Sequence, residues 1–104
     1  MRKRRYEILL PITHNDGRPV NSQKILQTLD ELIEQFGPIS IHPGTGREIW
    51  PHDSARYKVE LIRISRNVDN IVENRKFVAA LKLKLLEQFE AIDIYICSYL
   101  VDIE

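Results

Sequence analysis

The chain has few of the features that usually announce a function. It holds one cysteine, Cys97, so no internal disulfide can form. Set in an apolar stretch, that thiol is expected to be a small buried hydrophobe in a reducing compartment. Net charge is absent as well: 15 Lys and Arg offset 15 Asp and Glu. A neutral molecule has no overall field to draw nucleic acid or an anionic membrane. No apolar run approaches the ~20 residues that cross a bilayer. The basic start lacks the apolar core of a secretion signal, because Glu7, Pro11 and His14 interrupt the stretch after it. A cytoplasmic protein is expected, with neither membrane nor nucleic acid as partner. Internal repeats and low-complexity segments are missing too.

The 104 residues fit a single domain over residues 1–104. A chain of that size buries about 65% of its unfolded surface, enough for a core without metal or disulfide. Residues 1–5 contain the one charge run, Arg2-Lys3-Arg4-Arg5, expected to be a solvated tail. Its sharper alternative is a short arm that touches phosphates.

Tyr6, Ile8, Leu10 and Ile12 alternate along a first strand that ends near Pro11. The stretch from Thr13 to Val20 is turn chemistry built on Asn15, Asp16, Gly17 and Pro19. A first helix, capped by Asn21 or Ser22, runs to Phe36 with Ile25, Leu26, Leu29, Leu32, Ile33 and Phe36 as its stripe. Gly37-Pro38 stops it. A second strand, kinked near Gly44 and Gly46, covers Ile39 to Trp50, and a hairpin leads to a third from Arg56 to Ile64. The second helix starts near Asn70, with Glu73 completing a capping box, and carries Phe77, Val78, Leu81, Leu85, Leu86 and Phe89 on one face. The closing strand spans Ile92 to Ile103. It places Ile94, Ile96 and Leu100 on one side, and Tyr95, Cys97, Tyr99, Val101 and Ile103 on the other.

That order predicts an α+β protein with a ferredoxin-like βαββαβ core: a four-stranded antiparallel sheet with two helices on one face. Right-handed crossovers put strands one and three in the middle and strands two and four at the edges. The last strand is then an edge with two apolar faces, and the helices can cover only one of them. Tyr95, Tyr99, Val101 and Ile103 are therefore the candidate interface of a homodimer.

Catalytic patterns are sparse. His14 and Asp16 are expected at the C-terminal end of strand one, and the hairpin holding His52 and Asp53 at the opposite end, ~20 Å away by strand length. No pair has helical or CxxC metal-ligand spacing, so neither metal nor cofactor is expected. Cys97, Ser65 and Ser98 have no histidine predictably beside them. Pro43-Gly-Thr-Gly46 lacks the lysine and the strand-to-helix setting of a phosphate loop. The aromatic platform of RNA-binding sheets is missing, since Tyr6 and Tyr57 stand at strand ends. The candidate pocket is His42, Arg47, Trp50 and His52, with Trp50 either lining it beside a histidine or sealing the core. His14 and Asp16 form a second candidate loop.

The run Tyr6-Glu7-Ile8-Leu9-Leu10-Pro11, the stop Phe36-Gly37, Gly46 with Trp50, Glu60-Leu61 and Asn74-Arg75 resemble a group of short bacterial proteins of unassigned function with a ferredoxin-like core. The resemblance implies the fold and no activity. The expected function is a homodimeric, non-catalytic module that binds a small molecule or a protein. The first alternative is a dimeric α+β-sandwich enzyme with a cleft near His42, Trp50 and His52. A further one resembles the small dimeric CRISPR-associated nucleases, which carry an acidic residue at the end of strand one. Asp16 is the only match to that residue, and it lies in the loop.

Overall fold

In a computed structural model, residues 1–52, 55–91 and 93–104 are described, with side chains described for all of these except 43–52 and 55–59. The elements are β1 (Arg2–Pro11), α1 (Ser22–Phe36), β2 (Ser40–His52), β3 (Ala55–Val68), α2 (Val72–Gln88) and β4 (Tyr95–Asp102). They form one sheet of order β2-β3-β1-β4 with antiparallel neighbours. This is the expected α+β, ferredoxin-like βαββαβ arrangement.

β1 pairs with β3 from Arg4↔Val68 to Pro11↔Leu61 and with β4 from Arg2↔Asp102 to Leu9↔Tyr95. The basic run expected as a tail is thus the first half of a central strand. Strand alternation then sorts the chain into two faces. Tyr6, Ile8 and Leu10 of β1, with Ile62, Ile64 and Val68 of β3 and Ile94, pack in one core with Leu32 and Phe36 of α1 and Val78, Leu81 and Leu85 of α2. Tyr6 stacks on Phe36 at 5.9 Å, and Phe77 meets Phe36 edge-on at 5.3 Å. Tyr6 therefore lies mid-strand and faces the helices, where no base could stack on it.

α1 begins as expected. The Asn21 side chain accepts from the Gln23 backbone N–H at 2.8 Å, and Gly37 closes the helix at φ 77° with its N–H donating to the Ile33 carbonyl. The buried stripe is narrower than its sequence pattern, because Leu26 and Ile33 are 57% and 46% exposed. α2 lacks the expected capping box. Its N-cap is Ile71, which has no side-chain cap bond, and the Asn70 side-chain oxygen Oδ1 accepts from Arg4 Nε at 2.8 Å. A charge-assisted bond of that kind is stronger than a neutral cap. The entry is instead fixed by buried Asn74, whose Nδ2 donates to the Asp69 carbonyl at 2.9 Å.

β2 breaks register between His42 and Gly46, as the glycines implied. One expected separation does not hold. β2 and β1 each run antiparallel to β3 and so run parallel to each other, as a right-handed βαβ crossover requires. The loop after β1 and the far end of β2 therefore lie towards the same end of the sheet. Ile12 N donates to the Glu60 carbonyl at 2.8 Å, and Glu60 stands opposite Arg47. His52 pairs with Ala55, five residues further along β3, so ~17 Å of strand still separates it from the His14 loop.

No helix among the described residues is long and apolar enough to cross a membrane. Leu85 is 1% exposed in the core and Leu83 is 71% exposed on the same helix. Leu85→Ala should lower the unfolding free energy by about 2–5 kcal/mol. Leu83→Ala should change it by less than about 0.5 kcal/mol. Urea titration followed by far-UV circular dichroism separates the two.

Candidate functional site

The first three turns of α2 and the first halves of β1 and β4 border an open cleft of about 320 Å³. Helical spacing brings Arg75, Val78, Ala79 and Lys82 to one line along α2. Opposite them stand Arg4 and Tyr6 of β1 and Ile96, Cys97 and Ser98 of β4. The floor is apolar, from Tyr6, Val78, Ala79 and Ile96. One end carries two guanidinium groups. Arg4 donates from Nη1 to Ser98 Oγ at 2.9 Å and from Nε to Asn70 Oδ1 at 2.8 Å. Arg75 Nη2 reaches the same Asn70 oxygen at 3.5 Å. At the other end Lys82 is 3.6 Å from the Asp93 carboxylate.

A second cleft, of about 370 Å³, lies between α1, the end of β3 and the start of α2. Its polar groups are already engaged with one another. Lys3 is paired with Asp69, Gln35 Nε2 donates to Asn74 Oδ1 at 3.2 Å, and Arg66 Nε donates to the Phe36 carbonyl at 3.3 Å. This network joins the elements and leaves little unmet polarity for a ligand.

The sequence candidates are dispersed. His42 is exposed on β2 opposite Arg63. Arg47, Trp50 and His52 take their places in β2, but their side chains lie outside the described residues, and Asp53 lies outside them altogether. Asp16 is held by its own turn: its carboxylate accepts from the Arg18 backbone N–H at 3.0 Å and is paired with the Arg18 guanidinium. Those bonds, the backbone one first, keep its carboxyl below the usual aspartate range. Among the described residues the adjoining His14 Nδ1 is buried with no hydrogen-bond partner. Among the described residues no three His, Cys, Asp or Glu side chains converge as a metal site would require.

Cys97 is only partly buried, which corrects the sequence expectation. Its parity turns it to the face away from the helices, opposite Glu7, and its thiol donates to Glu7 Oε2 at 3.7 Å. Glu7 also lies 3.7 Å from Arg5, whose guanidinium donates to Ser65 Oγ at 3.1 Å and Asn67 Oδ1 at 3.3 Å. The centre of the outer face is therefore polar, and Tyr95 and Tyr99 flank it at 49% and 44% exposure.

Sequence reasoning misses the cleft because Arg4 reads as part of a tail and Lys82 lies off the apolar face of the second helix. The signals that point to it are simple. Arg4 shares the parity of Tyr6, Ile8 and Leu10, and Arg75, Val78 and Lys82 share one helical line. In Arg18→Ala, the Asp16 carboxyl should titrate higher than in the parent protein yet stay below the ordinary value, because the backbone donor at position 18 remains. Carbon-detected NMR titration reads both midpoints. Comparison with family models, curated proteins and solved structures finds no match to the chain.

Proposed function

We propose that the chain is a non-catalytic binding module of the cytoplasm that works as a homodimer, two copies meeting along β4. One observation carries this: β4 is a sheet edge that exposes apolar side chains on both of its faces. Among the described residues β1 is its only neighbour in the sheet, so one row of backbone donors and acceptors is open to another strand. Tyr95 and Tyr99 on the outer face, Leu100 on the helix side and Ile103 beyond the strand end are each 40–49% exposed. Partly buried Val101 lies between them.

Edge-to-edge joining fits this pattern better than stacking of two sheets. Stacking would desolvate Arg5 and Glu7 at the centre of the outer face, and a buried ion pair seldom recovers its desolvation cost. Joining along β4 leaves that cluster in water, extends the ladder and covers apolar groups on both sides at once. A free, unbridged Cys97 fits a reducing compartment. A binding rather than a catalytic role is supported by the open cleft beside β4, where cations face an apolar floor. Of the chemistry-bearing side chains, His14 and Asp16 share the loop after β1, and His42 stands apart from them on β2.

Light scattering at about 100 µM, the range in which modest edge interfaces form, should give twice the 12.2 kDa chain mass. Leu100→Lys with Ile103→Lys should give the single-chain mass and leave the circular dichroism spectrum unchanged. A single-chain mass for the parent protein would refute the dimer.

A further inference from the structure

We propose that the cleft between α2 and the β1–β4 pair binds a small organic anion, a carboxylate or phosphate carried on an apolar body. The inference rests on reading the chain as a binding module, but not on its self-association.

The charge pattern comes first. Several surface cations have a carboxylate partner: Arg2 meets Asp102, Lys3 meets Asp69, Arg18 meets Asp16 and Lys84 meets Glu31. Among the described residues Arg4 and Arg75 have none within ion-pair distance, as is also true of Lys24 and Arg66, which donate to backbone carbonyls. Arg4 and Arg75 are set apart because both point to one neutral oxygen, Asn70 Oδ1. Two like charges sharing a neutral acceptor leave a positive potential at the cleft's end. A guanidinium has five N–H donors, and Arg4 commits its Nε and Nη1 to Asn70 and Ser98. Donors therefore remain at Arg4 Nη2 and on Arg75, and guanidinium groups suit the planar oxygens of a carboxylate or phosphate.

The shape supplies the rest. A volume of about 320 Å³ falls at the lower end of small-molecule sites, which combine an apolar lining with a few placed polar groups. Arg75 and Lys82 are two turns apart, ~10 Å along the helix. Lys82 is already neutralised by Asp93, so only the Arg4–Arg75 end calls for a negative charge. The ligand this describes has one anionic head at that end and a body lying on Val78, Ala79 and Ile96. Ala79 is the small residue that keeps the middle of the cleft open. A free inorganic anion would leave the floor unused, and a neutral hydrocarbon would leave the guanidinium groups unmet.

The test is an amide NMR titration of the full chain with phenyl phosphate, phenylacetate, inorganic phosphate and benzyl alcohol. At least one of the two organic anions should give saturable shifts at Arg75, Val78, Ala79, Ile96 and Ser98. Inorganic phosphate and benzyl alcohol should bind about tenfold more weakly or worse, and Arg75→Ala should lower affinity for the organic anion by a similar factor. Arg75 is exposed and makes no bond inside the core, so this variant should fold as the parent does, and the spectrum itself reports whether it has. Failure of both organic anions to saturate at millimolar concentration would overturn the inference. So would equal affinity for inorganic phosphate, or affinity unaltered in Arg75→Ala. A silent titration in a protein with the mass of two chains removes the cleft ligand and leaves the dimer standing. A monomer that titrates does the reverse.

Discussion

The double pairing of β1 is the constraint on which the rest of the structure depends. It is hydrogen-bonded to β4 from Arg2 and to β3 from Arg4, so its residues cannot choose their side. Alternation sends Arg4, Tyr6, Ile8 and Leu10 towards the helices and Lys3, Arg5, Glu7 and Leu9 away from them. A one-residue slip would move the whole apolar set into water. Tyr6, Ile8 and Leu10 are each at most 5% exposed, and burying such side chains contributes about 1.5–3 kcal/mol apiece. The register is therefore held by the core, and the arginines must take the places it leaves them.

Those places differ in chemistry. Arg5 arrives on the outer face beside Glu7, Ser65 and Asn67, where its charge and donors are met. Lys3 reaches Asp69. Exposed pairs of this sort contribute only about 0–1 kcal/mol each, so they adjust the surface without deciding the fold. Arg4 arrives on the helix side where the cover of α2 thins, and it finds amide and hydroxyl oxygens in place of a carboxylate. The burial of β4 on that side shows the same thinning. Ile94 is fully buried, Ile96 partly buried and Ser98 exposed, and Leu100 is 43% exposed.

Much of the fold is legible in the sequence because its signals are local. Asn21, Gly37 and the glycines of β2 mark ends and a bulge with their own backbone preferences, and the strand order comes from the handedness of crossovers. The features that escape need partners far along the chain. Arg2-Lys3-Arg4-Arg5 has no apolar alternation, so only the pairing with β4, about a hundred residues away, makes it a strand. Asn70 reads as a helix cap until Arg4 takes its oxygen. Leu26 and Ile33 match a helical period, yet how wide a stripe is buried depends on what lies beneath it. The sheet ends expected for His14 and His52 are wrong for another reason: β1 and β2 are parallel, and their relation passes through a strand that comes later in the sequence. The cleft is the least legible feature, since it is made of three elements and its two arginines lie about seventy residues apart.

β4 belongs to both surfaces that remain incompletely satisfied. Its free edge carries the proposed self-association, and Ile96, Cys97 and Ser98 form one wall of the cleft. An edge strand held on one side only is freer to shift than one held on both sides. A second copy paired along β4 would fix the wall against which a ligand packs. A ligand bridging α2 and β4 would in turn fix the strand that a second copy needs. Free energy then links the two events, and whatever factor one adds to the affinity of the other must be returned. The sign is positive as long as neither occupant displaces the other. The geometry favours that case, because a strand adds in the plane of the sheet and the cleft opens on its helix side.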